Sequence, residues 1–335
     1  MMSLPFASIQ LLLIAAILNQ PQPQPSASSS PSIEYLRTVP SVREFTKPRG
    51  FFSKMATLLA GTDEDKPELL RPYSTAQDST GRLLITDPGA HGVHIYDFER
   101  RKYQFLKGPR GQQMESPIDV FCDANDDIYV SDSERRKIYV FNVRGRFLRT
   151  IEGAGPDGLL QRPTGMAFDR SARRIYMTDT LKHQVLVLGT DGSLIRVIGK
   201  RGSGPGEFNF PTAVTLSAGR VYVVDSMNFR IQAFTPDGKF INTFGQLGNQ
   251  SGTLNRPKGI AADTDGNLYI VDALFETVQV FDPAGRLLYY FGSTGTSPGQ
   301  FRLPSGISID ERNRIYVADS QNRRVQVFIY RRGVS

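Results

Sequence analysis

The residue types that most often hold a catalytic metal ion are few in this chain and lie far apart. The histidines are His91, His94 and His183, and the single cysteine is Cys122. A metal site needs several ligands that converge on one point. His183 is far along the chain from the other two, and Cys122 lies in an apolar run with no base close in sequence, as a small core residue would. We therefore predict no metal, no cofactor and no catalytic cysteine.

Two aspartate-rich segments have some of the spacing of a calcium-binding loop. They begin at Asp123 and Asp263, and neither has the glutamate that such a loop requires downstream. An aspartate can instead accept hydrogen bonds from the backbone of its own turn. We predict this turn-capping role for the following residues, which share one position in a repeat: Asp78, Asp123, Asp169, Asp263 and Asp310.

These residues belong to a unit of about 46 residues that occurs six times in the chain. Each unit opens with a proline, and the opening prolines are Pro72, Pro117, Pro163, Pro211, Pro257 and Pro304. Each unit also has an aspartate near its middle, and these are Asp87, Asp132, Asp179, Asp225, Asp272 and Asp319. Apolar or aromatic residues recur before and after each aspartate at fixed distances. We predict that the six aspartates are structural and accept hydrogen bonds from the loop that follows them.

Each unit contains four short runs rich in β-branched and aromatic residues, separated by turn residues such as Asp265-Gly266. Four antiparallel strands repeated six times predict an all-β, six-bladed β-propeller with blades that start near 72, 117, 163, 211, 257 and 304. The sixth unit lacks its outermost strand, and an open edge would promote association. We predict that residues 32–39 pair with residues 325–329 and close the last blade.

The chain resembles the NHL-repeat family of six-bladed propellers over roughly residues 67–330. The resemblance is carried by segments such as Leu268-Tyr-Ile-Val-Asp272 and Ile315-Tyr-Val-Ala-Asp319. Members of this family include RNA-binding domains of ubiquitin-ligase proteins, extracellular sensor domains, a peptide-amidating lyase and exported bacterial propellers. The signal-like N-terminus looks most like the exported group. The histidine set of the lyase and the cysteines of a ubiquitin ligase are not matched, so neither activity is implied here.

The N-terminal part divides into segments of different composition. Residues 1–31 hold an apolar block, 11–18, and a Pro/Gln/Ser tract, which predict a signal-like segment, a linker and export to the periplasm, cell surface or medium. No apolar run reaches the roughly 18 residues of a membrane-spanning helix. Residues 32–61 hold the closing strand and an amphipathic helix from Arg49 to Gly61, which caps the propeller or contacts a membrane surface or partner. Residues 62–335 form the propeller.

Two regions of the predicted propeller could bind a ligand. Among residues that the first strand of each blade directs at the central channel, Asp119 and Lys258 are the charged candidates at the channel mouth. The loops at one face are rich in basic residues. Those that we assign to a ligand-binding face are Arg110, Arg135, Arg136, Arg162, Lys182, Arg201, Arg230, Arg256, Lys258, Arg302 and Arg323.

The net charge of +7 favours anionic partners because a basic surface attracts them. We expect a monomeric, non-enzymatic binding or scaffold propeller that recognises a protein or an anionic envelope ligand on this basic face. One alternative is an RNA-binding module, which requires a cytoplasmic location and salt-sensitive binding. Another is a hydrolase or lyase that uses the channel mouth.

Overall fold

Six antiparallel sheets of four strands form the blades of a propeller, and the predicted all-β architecture is confirmed. The computed structural model describes residues 32–46, 67–152 and 158–332. Residues Ile33–Tyr330 form one compact unit. Of the second unit, 1–32 with 331–335, the structure describes only residues 32, 331 and 332. Within the described ranges, no helix is long and apolar enough to span a bilayer.

The strands of each blade are named a to d from the channel outward. Blade 1 has β2 (Ser74–Gln77), β3 (Leu83–Asp87), β4 (Gly92–Asp97) and β5 (Lys102–Leu106). Blade 2 has β6 (Pro117–Cys122), β7 (Ile128–Asp132), β8 (Lys137–Phe141) and β9 (Phe147–Ile151). Blade 3 has β10 (Pro163–Asp169), β11 (Arg174–Asp179), β12 (Gln184–Gly189) and β13 (Leu194–Ile198).

The second half of the chain repeats the same order. Blade 4 has β14 (Pro211–Ser217), β15 (Arg220–Asp225), β16 (Arg230–Phe234) and β17 (Phe240–Phe244). Blade 5 has β18 (Pro257–Ala262), β19 (Leu268–Asp272), β20 (Thr277–Phe281) and β21 (Leu287–Phe291). Blade 6 has β22 (Ile307–Ile309), β23 (Arg314–Asp319), β24 (Arg324–Arg331) and, as its outermost strand, β1 (Ser32–Thr38). Neighbouring innermost strands contact each other, and β22 contacts β2, which closes the ring.

The closing strand is confirmed, because β1 lies beside β24 and the N–H of Val39 donates to the carbonyl of Val325 at 2.9 Å. A helix that the sequence reading missed follows it: α1 (Val42–Thr46), in which Phe45 packs on Tyr96 of blade 1. Five residues are too few for apolar periodicity to be visible. The amphipathic helix predicted from Arg49 to Gly61 lies outside the described residues.

The apolar core lies between adjacent blades. One cluster joins Leu84 and Ile95 of blade 1 to Val120 and Val130 of blade 2, and similar clusters join the other neighbours. In an antiparallel strand alternate side chains point to opposite faces, so an inner strand that is covered by a blade on each side is buried on both faces. The β3, β7 and β19 strands are accordingly buried along their whole length.

The second strand of every blade ends in a fully buried aspartate, and these carboxylates join two loops. Asp272 accepts the N–H groups of Leu274 and Phe275 from its own b–c loop, as predicted, at 3.1 and 3.2 Å. It also accepts the N–H groups of Asn255 and Arg256 from the preceding d–a loop, at 2.7 and 3.1 Å. Because both loops bond to one carboxylate, they lie at the same edge of the blade. We call the surface that these loops form the loop face.

The same link from the d–a loop recurs in every blade. The donating backbone N–H groups are those of Leu70 and Arg71 to Asp87, Glu115 and Ser116 to Asp132, Gln161 and Arg162 to Asp179, Asn209 to Asp225, and Arg302 to Asp319. The predicted turn caps lie at the opposite edge and are also confirmed. Asp263, for example, accepts the N–H groups of Asp265 and Asn267, both at 2.9 Å.

We predict that Asp272→Asn lowers the free energy of unfolding by about 2–4 kcal/mol, measured by urea denaturation. The amide keeps the shape of the carboxylate but directs an NH₂ group at backbone donors that then lack an acceptor. Glu311→Gln, in the exposed turn between β22 and β23, is the matched control and should change the stability by less than about 0.5 kcal/mol. Equal stabilities of the two variants would contradict a structural role for the aspartate.

Candidate functional site

The innermost strands enclose a central cavity of about 360 Å³. The residue two positions after each opening proline lines this cavity: Ser74, Asp119, Gly165, Ala213, Gly259 and Gly306. Most of these residues are small because neighbouring inner strands approach closely. A Cβ atom on Gly165 would lie 2.5 Å from the Cα of Ala213, and one on Gly259 would lie 2.6 Å from the carbonyl oxygen of Ser305. This position therefore packs inner strands against each other.

Asp119, one of the two charged residues predicted at the channel mouth, ties the inner strands of three blades together. Its carboxylate accepts the Ser74 hydroxyl of blade 1 at 2.6 Å and the Met166 N–H of blade 3 at 2.6 Å. It also accepts its neighbour's N–H, that of Val120, at 2.9 Å. Burial raises the pKa of Asp119, although these hydrogen bonds oppose that change. The described hydrogen bonds of this carboxylate are thus all with residues of the inner strands.

Lys258, the second predicted residue, presents an ammonium group to the channel. Its Nζ lies 5.6 Å from the centroid of the Tyr73 ring, a cation–π distance. Apart from that ring, Nζ has no hydrogen-bond or ion-pair partner among the residues that the structure describes. Burial, together with the positive charges of Arg256 and Arg71, lowers the pKa of Lys258 to about 8. Lys258 and Asp119, both described, do not pair with each other.

Three arginines surround this end of the channel, and each immediately precedes an opening proline. They are Arg71, Arg162 and Arg256, which precede the first strands of blades 1, 3 and 5. An arginine therefore occurs at every second blade around the ring. Burial and the Asp119 carboxylate raise the pKa of Tyr73, whereas the charges of Arg162, Arg256 and Arg71 act to lower it. The three arginines thus share one position of the repeat at this end of the channel, and their charges act on one hydroxyl. We call Arg71, Arg162, Arg256, Lys258 and Tyr73 the channel mouth.

Arg71 was not among the residues singled out from the sequence. The sequence does contain a pattern that identifies it, because Arg71 directly precedes the opening proline of its repeat, as Arg162 and Arg256 do. Arg162 pairs loosely with Glu134, at 3.6 Å, and both side chains are about half exposed. Surface pairs of this kind contribute little to stability and exchange readily with a competing anion.

The other predicted basic residues fall into two groups. Some are engaged within the protein: Arg230 is nearly buried and bonds to Asp225 at 2.8 Å, Lys182 donates to the Leu159 carbonyl at 2.9 Å, and Arg135 pairs with Glu115. The rest are exposed and have no ion pair with any described residue: Arg110, Arg136, Arg201, Arg256, Arg302 and Arg323. The second group can contact a ligand on the loop face without breaking an ion pair to a described residue.

The histidines and the cysteine are not brought together. His91 bonds to the Glu115 carbonyl at 2.8 Å, His94 to the Tyr103 hydroxyl at 2.9 Å, and His183 accepts the Phe210 N–H at 3.1 Å. Burial raises the pKa of the Cys122 thiol far above its usual value. In the described part of the chain, no three histidine, cysteine, aspartate or glutamate residues form a group that could hold a metal ion.

An exposed apolar arc crosses the loop face from blade 3 to blade 6, and the sequence reading missed it. Leu181, Met227 and Leu274 lie two residues after the buried aspartates of three consecutive blades and are 45, 52 and 51% exposed. Leu303 continues the arc at 38% exposure, and its N–H donates to Glu276 of blade 5. By contrast, Phe208, which also lies in a loop of this face, is fully buried and serves packing.

Comparisons with known proteins agree with this architecture. A family model described as a six-bladed β-propeller (DUF5128) matches residues 167–243, and a model of the NHL repeat matches residues 301–328. The resemblance to NHL-repeat propellers is thereby confirmed. Among curated proteins, Protein brain tumor of Drosophila melanogaster is 27% identical over 136 residues, which cover 39% of this chain. The match spans only 13% of that relative's length.

Solved structures similar to this chain include an enzyme and a binding protein. Virginiamycin B lyase from Staphylococcus aureus is 15% identical with a TM-score of 0.58, and the match covers 78% of this chain and 95% of the lyase. An auxiliary nutrient binding protein from Bacteroides thetaiotaomicron is 14% identical with a TM-score of 0.61, over 78% of this chain and 69% of that one. At these identities the likeness concerns the fold alone.

We predict that Gly259→Ala destabilises the protein by about 1–3 kcal/mol, because the added methyl group must displace the backbone of blade 6. Urea denaturation measures the change. Thr215→Ala, which shortens a side chain lining the same cavity, serves as the control and should cost less than about 1 kcal/mol. If Gly259→Ala is as stable as the unaltered protein, the inner strands are not packed as closely as described.

Proposed function

We propose that this protein is a binding propeller that recognises a partner protein on its loop face, through the apolar arc and the arginines that flank it. The partner surface that fits would present apolar side chains bordered by acidic residues. The exposed arc is the observation that carries this proposal. It places three apolar side chains at equivalent positions of consecutive blades, and all three are exposed to solvent. Contiguous apolar groups on a protein surface commonly mark an interaction site.

The charges around the arc support the same partner chemistry. Arg201, Arg302 and Arg323 lie in the loops of blades 3 to 6, and they are exposed without an ion pair among described residues. Methionine and arginine are enriched in protein interfaces, and an arginine can bind a carboxylate through two hydrogen bonds. Apolar contacts with arginines at their border are therefore the expected composition of a protein-binding surface.

The arrangement favours a protein over a nucleic acid. Single-stranded nucleic acids are bound by aromatic side chains on which bases stack. Phe208 is fully buried and Phe210 packs on His183, with ring centroids 4.5 Å apart, so these two aromatic residues of the loop face are engaged in packing. Aliphatic side chains occupy the exposed positions instead. The proposed location is outside the cytoplasm, as the composition of residues 1–31 predicts.

Site-specific photo-crosslinking in intact cells tests this proposal. A benzoyl-phenylalanine placed at Leu274 should yield an adduct with a defined protein that withstands nuclease treatment. The matched position is Leu148, an exposed leucine on the outer strand of blade 2, which should not yield that adduct. Absence of an adduct at Leu274, or one that disappears after nuclease treatment, would contradict the proposal, and the second result would favour RNA.

Met227→Asp should weaken binding of the purified crosslinked partner by about thirtyfold, because an exposed apolar contact at the centre of an interface is worth about 2 kcal/mol. Arg302→Glu should weaken it as well and reduce its dependence on salt. Surface plasmon resonance measures both. Arg144→Glu, in the turn between β8 and β9 at the opposite edge of blade 2, is the charge-matched control and should leave the affinity unchanged.

A further inference from the structure

We propose that the channel mouth is a binding site for a phosphate group, either as the free ion or as the monoester of a small molecule that extends into the channel. The channel mouth shares no residue with the apolar arc, and the proposal does not depend on the partner proposed above. It rests on the placement of Arg71, Arg162, Arg256 and Lys258 around one opening.

The first argument is the symmetry of the arginines. The residue before the opening proline is arginine in blades 1, 3 and 5, and it is Ser116, Phe210 and Leu303 in blades 2, 4 and 6. Three cations thus alternate around the channel axis, and this ring of positions contains no carboxylate. The three terminal oxygens of a phosphate monoester are arranged about its bridging bond with the same threefold symmetry. Arginine is suited to these oxygens because its planar fork can bind two of them.

The second argument is that the backbone of each arginine is held in place. The N–H groups of Arg71 and Arg162 each donate to a buried aspartate at 2.9 Å, and that of Arg256 does so at 3.1 Å. A ligand therefore orders only the side chains, and the loops require no further ordering. Pre-organisation of this kind increases affinity because it lowers the entropic cost of binding.

The third argument is the unpaired ammonium just inside the ring. Lys258 Nζ contacts the Tyr73 ring and has no anionic partner among described residues. Asp119, a carboxylate that also lines the cavity, is engaged by Ser74, Met166 and Val120. A bound phosphate would supply the negative charge that the lysine lacks. The cavity of about 360 Å³ behind it is large enough for a small molecule and is lined by hydroxyl groups, including that of Thr212.

Isothermal titration calorimetry of the full chain at constant ionic strength tests the proposal, with inorganic phosphate and glycerol 3-phosphate as the probes. We expect one site per chain. Arg71→Gln, Arg256→Gln and Lys258→Met should each weaken binding at least about tenfold, the loss expected for one charged hydrogen bond. Arg144→Gln removes the same charge at the opposite edge of the propeller and should leave the affinity unchanged. Thermal unfolding verifies that each variant is folded.

The two probes identify the source of the phosphate group. Tighter binding of glycerol 3-phosphate would assign the site to a monoester, and tighter binding of inorganic phosphate would assign it to the free ion. The proposal is overturned if neither probe binds, or if Arg144→Gln weakens binding as much as Arg71→Gln does, because nonspecific attraction to a basic surface gives that result. The partner interaction on the arc would be unaffected by such an outcome.

The pH dependence provides a further test that a purely structural lysine would not pass. The charged groups that act on Lys258 are Arg256 of its own blade and Arg71 of blade 1, and burial raises the pKa of the Tyr73 hydroxyl, whose ring Lys258 contacts. Lys258 loses its proton as the pH rises through about 8. If only the protonated form binds, affinity for glycerol 3-phosphate should fall about tenfold between about pH 7 and pH 9. Lys258→Met should abolish this dependence, and an unchanged profile in that variant would contradict the assignment.

Discussion

The rest of the structure depends on the bonds that the buried aspartates make to the d–a loops. A carboxylate removed from water is costly unless several hydrogen bonds replace its hydration. In blade 5 the d–a loop and the b–c loop supply four backbone N–H groups to Asp272. The same carboxylate therefore stabilises the blade and fixes the path by which the chain enters it. The equivalent bonds in the other blades give the loop face a constant backbone, on which side chains can vary without a change of fold.

Two different surfaces arise from this constant backbone. Residues that directly precede the opening prolines lie near the channel axis, and arginine at alternate blades makes that position cationic. Residues two places after the aspartates lie farther out in the b–c loops, and Leu181, Met227 and Leu274 make that position apolar in blades 3 to 5. One scaffold thus carries a small polar site at its centre and an extended contact surface around it.

Much of the fold could be predicted from the sequence because each repeat position has one structural role. The site was harder, because loop residues of the same type have different environments: Arg230 turns inward to Asp225, whereas Arg256 is exposed without a described ion pair. Their repeat positions differ, because Arg230 lies five residues after Asp225 and Arg256 directly precedes Pro257. Only the pairing register shows that the first of these positions lies opposite the aspartate and bonds to it. Asp119 likewise resembled a catalytic candidate, and two of its three donors, Ser74 and Met166, lie on strands distant in sequence. The sequence alone also does not show that the side chains of the apolar arc are exposed to solvent, because apolar residues in loops are often buried.

Hydrogen–deuterium exchange of the unaltered protein tests the central claim most directly. If the buried aspartates hold the d–a loops, the N–H groups of Asn255 and Arg256 should exchange about as slowly as those of the strands, although Arg256 lies on the surface. The N–H groups of exposed residues without such an acceptor, such as Glu311, should exchange much faster. Fast exchange at Asn255 and Arg256 would mean that the loops are not held by the carboxylate, and it would contradict a pre-organised loop face.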